Sequence, residues 1–318
     1  MKSLDRVLII GGTGLIGSNF LNRNTCIGMH FTSYSRTKLS ESEELKIVRT
    51  PIFFQGNWSN IDLTKYDSVL FLAAEGGQFD SLNNISKLEF DQEMIRFKFF
   101  LEDIKNSDVS TFIFASSAGS LYSEISEGNL SDENSSIAPL TKYGELKYMK
   151  EILIDQVLGS SNLKNCVILR ISNVYGGYLF ERHIKGVIPN FIKSIVMNQP
   201  LNLIGKPSNT RDFIHVEDVV KALESILHGE IGFKILNLSS GTGVTVQLIL
   251  DLIYQIAQDS QYNLSVSPAK FNDYVGVTRS VINNELISSI LNWSPKIDFR
   301  NGLETSFKEV EGILNSSE

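Results

Sequence analysis

The sequence predicts an α/β protein with a doubly wound parallel sheet and a smaller α/β lobe beside it. Two observations support the sheet. Short apolar runs alternate with amphipathic helical patterns through the first half of the 318 residues, and a glycine-rich turn joins the first apolar run to the first helix. Near-continuous hydrophobic runs are typical of parallel strands that are covered on both faces. A third observation, the loss of this regularity after Gly176, predicts the separate lobe.

The predicted strands are apolar runs at Arg6–Ile10, Met29–Ser35, Ile47–Gly56, Ser68–Ala74, Ser110–Ser117, Cys166–Gly176 and Phe233–Gly241. Helical patterns lie between them at Leu15–Arg23, Ile85–Lys105 and Tyr143–Leu158. Strands that alternate with helices are joined by right-handed crossovers, which place helices on both faces of one sheet.

The turn after the first predicted strand, IIGGTGLIGSNF, contains Gly11, Gly12, Gly14 and Gly17 and so satisfies both G-x-G-x-x-G and G-x-x-G-x-x-G. Such glycines allow a tight turn, a close approach to a pyrophosphate, and close packing of helix on strand. The helix N-terminus then directs free N–H groups at the phosphates. A plain structural turn is the alternative. The predicted cofactor contacts here are Gly11, Thr13, Gly14, Leu15, Ile16 and Gly17.

These patterns predict a dinucleotide-binding Rossmann domain at residues 1–172, to which a later segment at about 209–240 returns. Residues 173–318 are then mainly a substrate-binding lobe.

The end of the second predicted strand indicates which dinucleotide binds. An NAD enzyme places an acidic side chain about 20 residues beyond the loop, on the ribose 2′-OH. Here Ser35 and Arg36 occupy that place. An arginine suits a 2′-phosphate, so NADP(H) is favoured, with NAD(H) as the alternative; a solvated surface arginine is the other interpretation. Asn57, after the third strand, has an amide oxygen that can accept a hydrogen bond from the adenine amino group.

Composition excludes several classes of partner. The net charge of −7 provides no basic excess to neutralise the phosphates of a nucleic acid. No apolar run approaches the ~20 residues of a transmembrane helix, and the first residues lack the features of a signal peptide. We therefore expect a cytoplasmic protein without a membrane partner. Cys26 and Cys166 form no metal-binding spacing and no disulfide framework, so we expect no metal and two buried thiols.

The stretch TKYGELK places Tyr143 and Lys147 four residues apart, on one face of a predicted helix. A phenol with a pKa near 10 is a poor acid or base at neutral pH. A cation held beside it favours the phenolate and lowers that pKa. The pair is therefore a candidate for proton transfer, and a chance helical pair is the alternative.

The glycine loop, the stretch SSAGSLY after a strand, and Tyr143-x-x-x-Lys147 together resemble the extended short-chain dehydrogenase/reductase family, in its nucleotide-sugar epimerase/dehydratase branch. Further matches are FLAAEGG, LRISNVYGG, RDFIHVEDVV and LNWSP, so the resemblance covers nearly the whole chain. It implies that Tyr143 exchanges a proton with a sugar oxygen, while Lys147 holds the nicotinamide ribose and lowers the tyrosine pKa. It also implies cofactor contacts from Trp58, Leu72, Ala73, Ala74, Tyr143, Lys147 and Ile171.

The resemblance leaves the catalytic hydroxyl between two serines. The family usually places it four residues before the tyrosine of a VYG element, and counting back from Tyr122 gives Ala118. We favour Ser117 and keep Ser120 as the second choice; either could instead cap the strand end. Family dehydratases carry an acidic pair directly after the hydroxyl, because elimination needs an extra acid and base. Here that pair is Ala118-Gly119, which disfavours dehydration.

On the substrate side, the resemblance implies that Arg211 grips a nucleotide diphosphate, a task that suits guanidinium geometry. Asn173 matches an asparagine near the diphosphate, and Val187 and Ile188 would line the base pocket. The alternatives are an ion pair of Arg211 with Asp212 or Asp218, and a turn role for Asn173.

The chain departs from the family at a second arginine and a strand-end acid, since Asp273 and Asn283 occupy those places. Arg279 lies out of register, and Arg182 or Lys185 could contribute instead. His183 and His215 are expected to be structural.

The sequence therefore predicts an NADPH-dependent reductase of a nucleotide-linked keto-deoxysugar, with a nucleotide-diphosphate sugar as its small-molecule partner. An NAD(P)-dependent nucleotide-sugar epimerase is the alternative. A non-catalytic NADP(H)-binding regulator is disfavoured because Tyr143 and Lys147 are both present. The hydrophobic helices at 85–105 and 143–158 pair across a two-fold axis in relatives, so we expect a homodimer. By analogy with the family alone, the expected pathway is polysaccharide biosynthesis.

Overall fold

A computed structural model of the chain describes residues 5–35, 52–55, 61–73, 86–262, 270–272 and 277–316. Its strands are β1 (Arg6–Ile10), β2 (His30–Ser35), β3 (Ile52–Gln55), β4 (Ser68–Phe71), β5 (Thr111–Ser117), β6 (Asn165–Ile171), β7 (Asn173–Tyr175), β8 (Asn202–Ile204), β9 (Thr210–His215), β10 (Gly232–Leu238), β11 (Gly243–Thr245), β12 (Lys270–Asn272) and β13 (Arg279–Ser280).

The α-helices are α1 (Leu15–Arg23), α2 (Lys87–Lys105), α3 (Ala118–Leu121), α4 (Lys142–Leu158), α5 (Val187–Val196), α6 (Val216–His228), α7 (Val246–Asp259), α8 (Glu285–Leu291) and α9 (Phe299–Asn315). Two short 3-10 helices lie at Leu63–Lys65 and Glu181–His183.

The central sheet has seven parallel strands in the order β10-β6-β5-β4-β1-β2-β3. Alternate residues of β1 face opposite sides: Val7 and Ile9 pack with residues of α1, α6 and α8, whereas Leu8 and Ile10 pack with α2 and α4. Both faces of the sheet are therefore covered by helices, which explains the near-continuous apolar strands. The predicted doubly wound Rossmann fold is confirmed.

Local sequence fixes the helix that carries the Tyr143–Lys147 pair. The hydroxyl of Thr141 accepts a hydrogen bond from the backbone N–H of Gly144 at 3.1 Å, so α4 begins one residue before the tyrosine. On the neighbouring helix, Ser86 and Glu89 form a reciprocal capping box, and α2 therefore begins at Lys87.

The predicted strand Cys166–Gly176 is wrong as a single element. The ladder of β6 with β5 ends at Ile171, and the backbone N–H of Ser172 bonds to Leu238 O at 3.0 Å. The following residues form β7, which pairs with β9 in a second sheet. The chain therefore leaves the central sheet at Ser172, and an apolar run gives no sign of that change of partner.

The lobe contains this second sheet, in the order β11-β9-β13 with β7 also paired to β9, and the short pair β8–β12. Its own core lies among α5, α7 and α9. The predicted returning segment is split: β10 extends the central sheet, whereas β9 belongs to the second sheet. The limits of the two domains stay predictions.

Cys26 and Cys166 are both buried thiols, as predicted, and burial raises the pKa of Cys166 to about 12. Among the helices that the structure describes, none combines the length and the apolar character needed to cross a bilayer.

Candidate active site

The predicted site residues gather at the carboxyl ends of the parallel strands. The chain runs outward from β1 through β2 to β3 and then returns to β4 on the other side of β1. Strand order thus reverses between β1 and β4, and ligands of doubly wound sheets bind in the crevice at such a point. The described residues that directly follow β1, β4, β5 and β6 lie at this edge.

At two positions of the glycine loop, backbone atoms lie too close for any side chain. Gly11 has φ +96°, and a Cβ added there would lie 2.7 Å from the backbone N of Ala73. A Cβ on Gly17 would lie 2.4 Å from Gly11 O. At Gly14, by contrast, an added Cβ would meet only Gly11 O, at 3.3 Å. Packing within the protein therefore requires glycine at 11 and 17, whereas at 14 it leaves a bare surface at the start of α1, which fits a pyrophosphate.

Ser35 supports this loop from within the protein. Its hydroxyl accepts a hydrogen bond from Thr13 N at 3.3 Å, and the residue is 8% exposed. The predicted 2′-phosphate site therefore depends on Arg36, which lies outside the described residues, as do Asn57, Trp58 and Ala74.

Other predicted cofactor contacts lie along the same edge. Leu72 and Ala73 follow β4 and are partly exposed, and Leu15 and Ile16 open α1. Ile171, the last residue of β6, is 4% exposed and packs in the core beneath the edge.

Lys147 lies directly behind this edge. Its ammonium donates to Ala115 O at 2.7 Å and lies 3.5 Å from Ala73 O, and the residue is 3% exposed. The ring centroid of Tyr143 is 5.8 Å from the same nitrogen, and Tyr143 is partly exposed. Two backbone carbonyls therefore keep a buried positive charge beside a phenol that opens to the crevice. Because Ala73 also contacts Gly11, the lysine and the glycine loop share one neighbour.

The two candidate serines lie together. Ser117 is the last residue of β5, and its hydroxyl donates to the hydroxyl of Ser120 at 3.1 Å. Both are partly exposed. Ala118 is 0% exposed and packs against Tyr122 and Ile282, so position 118 does not open to the crevice. Position 118 thus presents no hydroxyl to the crevice, and Ser117 and Ser120 are the hydroxyls that flank it.

Close packing holds these serines near Tyr143. A Cβ on Gly144 would lie 2.4 Å from Ser120 O, so the first turn of α4 packs directly against α3. No side chain larger than hydrogen fits there, so the backbone that follows Tyr143 lies against the backbone of Ser120.

The substrate-side predictions fall on β7, β9 and α5. The amide of Asn173 donates to Asp212 O at 2.8 Å, and a Cβ on Gly119 would lie 3.8 Å from that amide nitrogen. Asn173 thus faces α3. Val187 is partly exposed at the start of α5, whereas Ile188 is 1% exposed. The side chain of Ile188 belongs to the core of the lobe rather than to an open pocket wall.

Arg211 binds backbone carbonyls. Its guanidinium donates to Thr210 O at 2.8 Å, to Thr278 O at 3.0 Å and to Val277 O at 2.5 Å. Among these described side chains, Arg211 forms no ion pair with Asp212 or Asp218, so that alternative is wrong. Asp212 accepts hydrogen bonds from the N–H groups of residues 240 and 241, and Asp218 accepts from those of residues 296 and 297.

Two histidines have structural contacts, in line with expectation. Nδ1 of His215 accepts the backbone N–H of Glu217 at the start of α6, and burial lowers its pKa. His183 was not linked to the cofactor site by sequence, yet its Nε2 lies 3.0 Å from Thr13 O of the glycine loop. The lobe thus contacts the cofactor loop directly.

Sequence reasoning also missed a buried ion pair beneath the site. Arg170 of β6 donates to both carboxylate oxygens of Glu151 on α4, at 2.7 Å to Oε2 and 3.2 Å to Oε1, and both residues are under 5% exposed. Ser116 donates to the same carboxylate. This pair joins α4 to β5 and β6 and so fixes Lys147 relative to Ser117. A charged residue inside the apolar run CVILRI was the available signal.

Among the residues that the structure describes, no group of histidine, cysteine and acidic side chains is arranged to hold a metal ion.

Residues 7–238 match the sequence profile of the NAD dependent epimerase/dehydratase family. A putative UDP-glucose 4-epimerase of Methanocaldococcus jannaschii is 27% identical over 307 residues, covering 94% of this chain and 96% of that protein. The dTDP-4-dehydro-6-deoxyglucose reductase of Escherichia coli is 26% identical over 246 residues, covering 76% of this chain and 74% of that protein.

Solved structures share the fold. The UDP-glucose 4-epimerase of Thermotoga maritima, crystallised with UDP-glucose, superposes with a TM-score of 0.84 at 22% identity, covering 97% of this chain and 99% of that one. The UDP-glucuronic acid 4-epimerase of Bacillus cereus, solved with UDP-glucuronic acid and NAD, gives a TM-score of 0.80 at 22% identity, covering 97% of this chain and 99% of that one.

Proposed function

The chain belongs to the NAD dependent epimerase/dehydratase family, and from this premise we propose that it transfers a hydride and a proton at one carbon of a nucleotide-linked sugar. The observation that carries the proposal is the position of Lys147. Its buried ammonium lies between Ala73 O and Ala115 O, 5.8 Å from the Tyr143 ring, at the point where the strand order reverses. The expected resemblance to sugar-nucleotide enzymes of this family is confirmed.

The residues of the chain have separate tasks in this proposal. Gly14 and the N-terminus of α1 hold the pyrophosphate of a nicotinamide dinucleotide. When bound, the nicotinamide supplies or accepts the hydride. Tyr143 gives a proton to the sugar oxygen, or takes it, and the ammonium of Lys147 stabilises the phenolate that results. The Ser117 hydroxyl donates a hydrogen bond to the same sugar oxygen and orients it.

On the substrate side, Arg211 binds the diphosphate of the nucleotide and Asn173 lies beside it. A guanidinium suits this task because its planar N–H groups match phosphate oxygens. Val187 borders the base.

Within this chemistry, we favour an NADP(H)-dependent reductase of a nucleotide-linked keto-deoxysugar. Ser35-Arg36 stands where an NAD enzyme carries an acid, which supports the phosphorylated cofactor. Dehydration is disfavoured, because Ala118 is buried and Gly119 has no side chain, so this stretch presents no acid and base to the crevice.

A nucleotide-sugar epimerase is the second candidate. The names of several relatives, including the M. jannaschii and T. maritima proteins, support it. An epimerase uses the same tyrosine, lysine and serine but returns the hydride to the opposite face of the sugar.

The two candidates differ in how they use the cofactor. Mass spectrometry of the denatured purified protein identifies the dinucleotide and nucleotide that co-purify. Consumption of NADPH with a 4-keto sugar nucleotide supports the reductase. Interconversion of two sugar nucleotides without added cofactor supports the epimerase. If neither activity is found with any sugar nucleotide, the proposal is overturned.

We also propose that the enzyme is a homodimer. Three apolar side chains on α2 and one on α4 are exposed in the single chain: Leu88 (67%), Ile95 (56%), Phe99 (61%) and Met149 (41%). The α2 residues recur at helical spacing and so form one stripe, and α4 packs alongside α2. A second copy would bury this stripe by pairing the same helices across a two-fold axis.

A further inference from the structure

Glu124 lies just beyond the serine pair, and its carboxylate accepts hydrogen bonds from Thr278, 154 residues away in sequence. The backbone N–H of Thr278 donates to one carboxylate oxygen at 3.0 Å, and the Thr278 hydroxyl donates to the other. These hydrogen bonds, that of the Thr278 hydroxyl above all, hold the pKa of Glu124 below its usual range. The segment after α3 is thereby tied to the start of β13.

The other side of Thr278 contacts Arg211. Thr278 O accepts hydrogen bonds from the N–H of Thr210 at 2.9 Å and from the Arg211 guanidinium at 3.0 Å. The guanidinium also donates to Thr210 O and Val277 O. Three carbonyls thus fix its plane, and two of them belong to residues 277 and 278. A continuous chain of hydrogen bonds runs from Glu124 through Thr278 to Arg211.

We propose that Glu124 is a positioning residue for the substrate: by holding the backbone at residues 277–278, it fixes the orientation in which Arg211 meets the diphosphate. This inference rests on the proposed function, in which Arg211 binds that group.

The position of Glu124 in the chain gives it a second consequence. It follows Ser120 by four residues and Ser117 by seven. One short segment therefore carries the hydroxyls for the sugar oxygen and the carboxylate that sets the diphosphate arginine. Glu124 thereby links the segment of the serine hydroxyls to the arginine that is proposed to bind the diphosphate.

The experiment measures the binding of UDP and of dTDP to four variants of the full-length protein by isothermal titration calorimetry. Glu124→Ala is expected to weaken the tighter of the two nucleotides about tenfold, because it removes hydrogen bonds to a charged group. Glu124→Gln keeps an oxygen acceptor for the Thr278 N–H and should recover most of that loss. Glu127→Ala removes the same charge from an exposed position of the same loop and should stay within about twofold of the parent. Arg211→Ala reports whether the arginine binds the diphosphate.

Thermal unfolding and dinucleotide binding are measured on the same samples, since a merely structural carboxylate would lower both. Diphosphate binding that falls in Glu124→Ala with dinucleotide binding unchanged supports the proposal. If Arg211→Ala weakens UDP and dTDP but Glu124→Ala does not, the role of Glu124 is overturned and the proposed function stands. If Arg211→Ala has no effect on either nucleotide, the diphosphate assignment fails, and the role of Glu124 fails with it.

Discussion

Two regions of this molecule are built in different ways: the glycine loop, here called the cofactor edge, and the surroundings of Arg211 and Asn173, here called the substrate edge. At the cofactor edge, glycines contact backbone so closely that a methyl group would overlap it, at 2.7 Å for Gly11 and 2.4 Å for Gly17. At the substrate edge, Arg211 and Asn173 are held by hydrogen bonds to carbonyls of β9 and of residues 277–278. A methyl group at Gly11 or Gly17 would overlap backbone atoms, whereas a change at Arg211 or Asn173 would remove hydrogen bonds without such overlap.

This difference explains how one fold accommodates related reactions. NAD(H) and NADP(H) share the same pyrophosphate, so the loop that is proposed to bind it can be fixed by close packing. Sugar nucleotides differ in length and shape, and the residues proposed to meet them are held by hydrogen bonds rather than by such packing. Substitutions in each region test this difference, and the first concerns Tyr143, which is proposed to act on both the cofactor and the sugar.

Replacing Tyr143 by Phe should have the largest effect. The phenol is the proposed proton donor, and general acid–base catalysis contributes about 10²–10⁴-fold to a rate. We expect kcat to fall by about that factor, while dinucleotide binding and UDP binding stay unchanged. The rate is followed by the absorbance of the reduced nicotinamide with the sugar nucleotide that supports turnover.

Tyr148→Phe is the matched control, because Tyr148 lies on the same helix and is also partly exposed. Equal losses in the two variants would show that removing any tyrosine from α4 disturbs the site. Unchanged kcat in Tyr143→Phe would remove the tyrosine from the mechanism.

Replacing Gly17 by Ala should damage the cofactor edge alone. The added Cβ meets the backbone of residues 11 and 12, at 2.4 and 2.6 Å, so the loop must shift. Overpacking of this kind costs about 1–3 kcal/mol. We expect a lower Tm and weaker dinucleotide binding with UDP binding retained, measured by thermal unfolding and calorimetry.

Gly14→Ala sharpens this test. Gly14 has φ −77°, which alanine adopts without strain, and an added Cβ meets only Gly11 O at 3.3 Å. We expect dinucleotide binding to weaken while Tm stays near that of the parent, because the methyl group would obstruct the pyrophosphate and not the protein. Gly312→Ala, in an open position on α9, should leave both measurements intact. A large loss of Tm in Gly14→Ala would contradict the division between packing and binding.

The sequence predicted the cofactor edge better than the substrate edge, for a physical reason. The limits of α1 and the pairing of Tyr143 with Lys147 follow from residues close together in the chain, whose spacing determines their contacts. Ser35 shows what spacing does not determine. The sequence correctly predicts Ser35 at the end of the second strand, but its hydroxyl accepts a hydrogen bond from Thr13 N inside the protein. Spacing locates a residue along a strand but does not say which neighbour its hydroxyl meets.

Contacts between distant segments could not be predicted at all. Glu124 and Thr278 are 154 residues apart, and neither stretch has a pattern that indicates the other. Ile188 was expected in a pocket wall because the resemblance placed it there, whereas the packing of α5 on α7 and α9 turns it into the core. The departure of the chain from the sheet at Ser172 likewise depends on β9, which comes about 40 residues later.

Replacing Ser117 and Ser120 separately by Ala distinguishes two hydroxyls that lie 3.1 Å apart. Ser117 ends β5, whose position the Glu151–Arg170 pair fixes, and so is the better placed to hold a sugar oxygen. We expect Ser117→Ala to lower kcat/KM about tenfold or more, since one oriented donor is lost. Ser120→Ala should lower it less, because Ser120 lies in α3, beyond the end of β5. The reverse order of effects would move the role to Ser120.

Replacing Phe99 by Glu should leave both binding regions intact but should dissociate the proposed dimer. Phe99 is 61% exposed on the outer face of α2, whereas Phe97 and Phe100 of the same helix are buried beneath it. An added carboxylate in the stripe would lose its hydration when two copies pair, and the free-energy cost of that loss opposes dimer formation. We expect the parent to sediment as a dimer and Phe99→Glu as a monomer in analytical ultracentrifugation. Lys98→Ala makes the same change in charge at an exposed neighbour and should remain dimeric. Because the stripe faces away from Lys147, Phe99→Glu should retain UDP and dinucleotide binding; a parent that sediments as a monomer would leave the exposed stripe without its proposed partner.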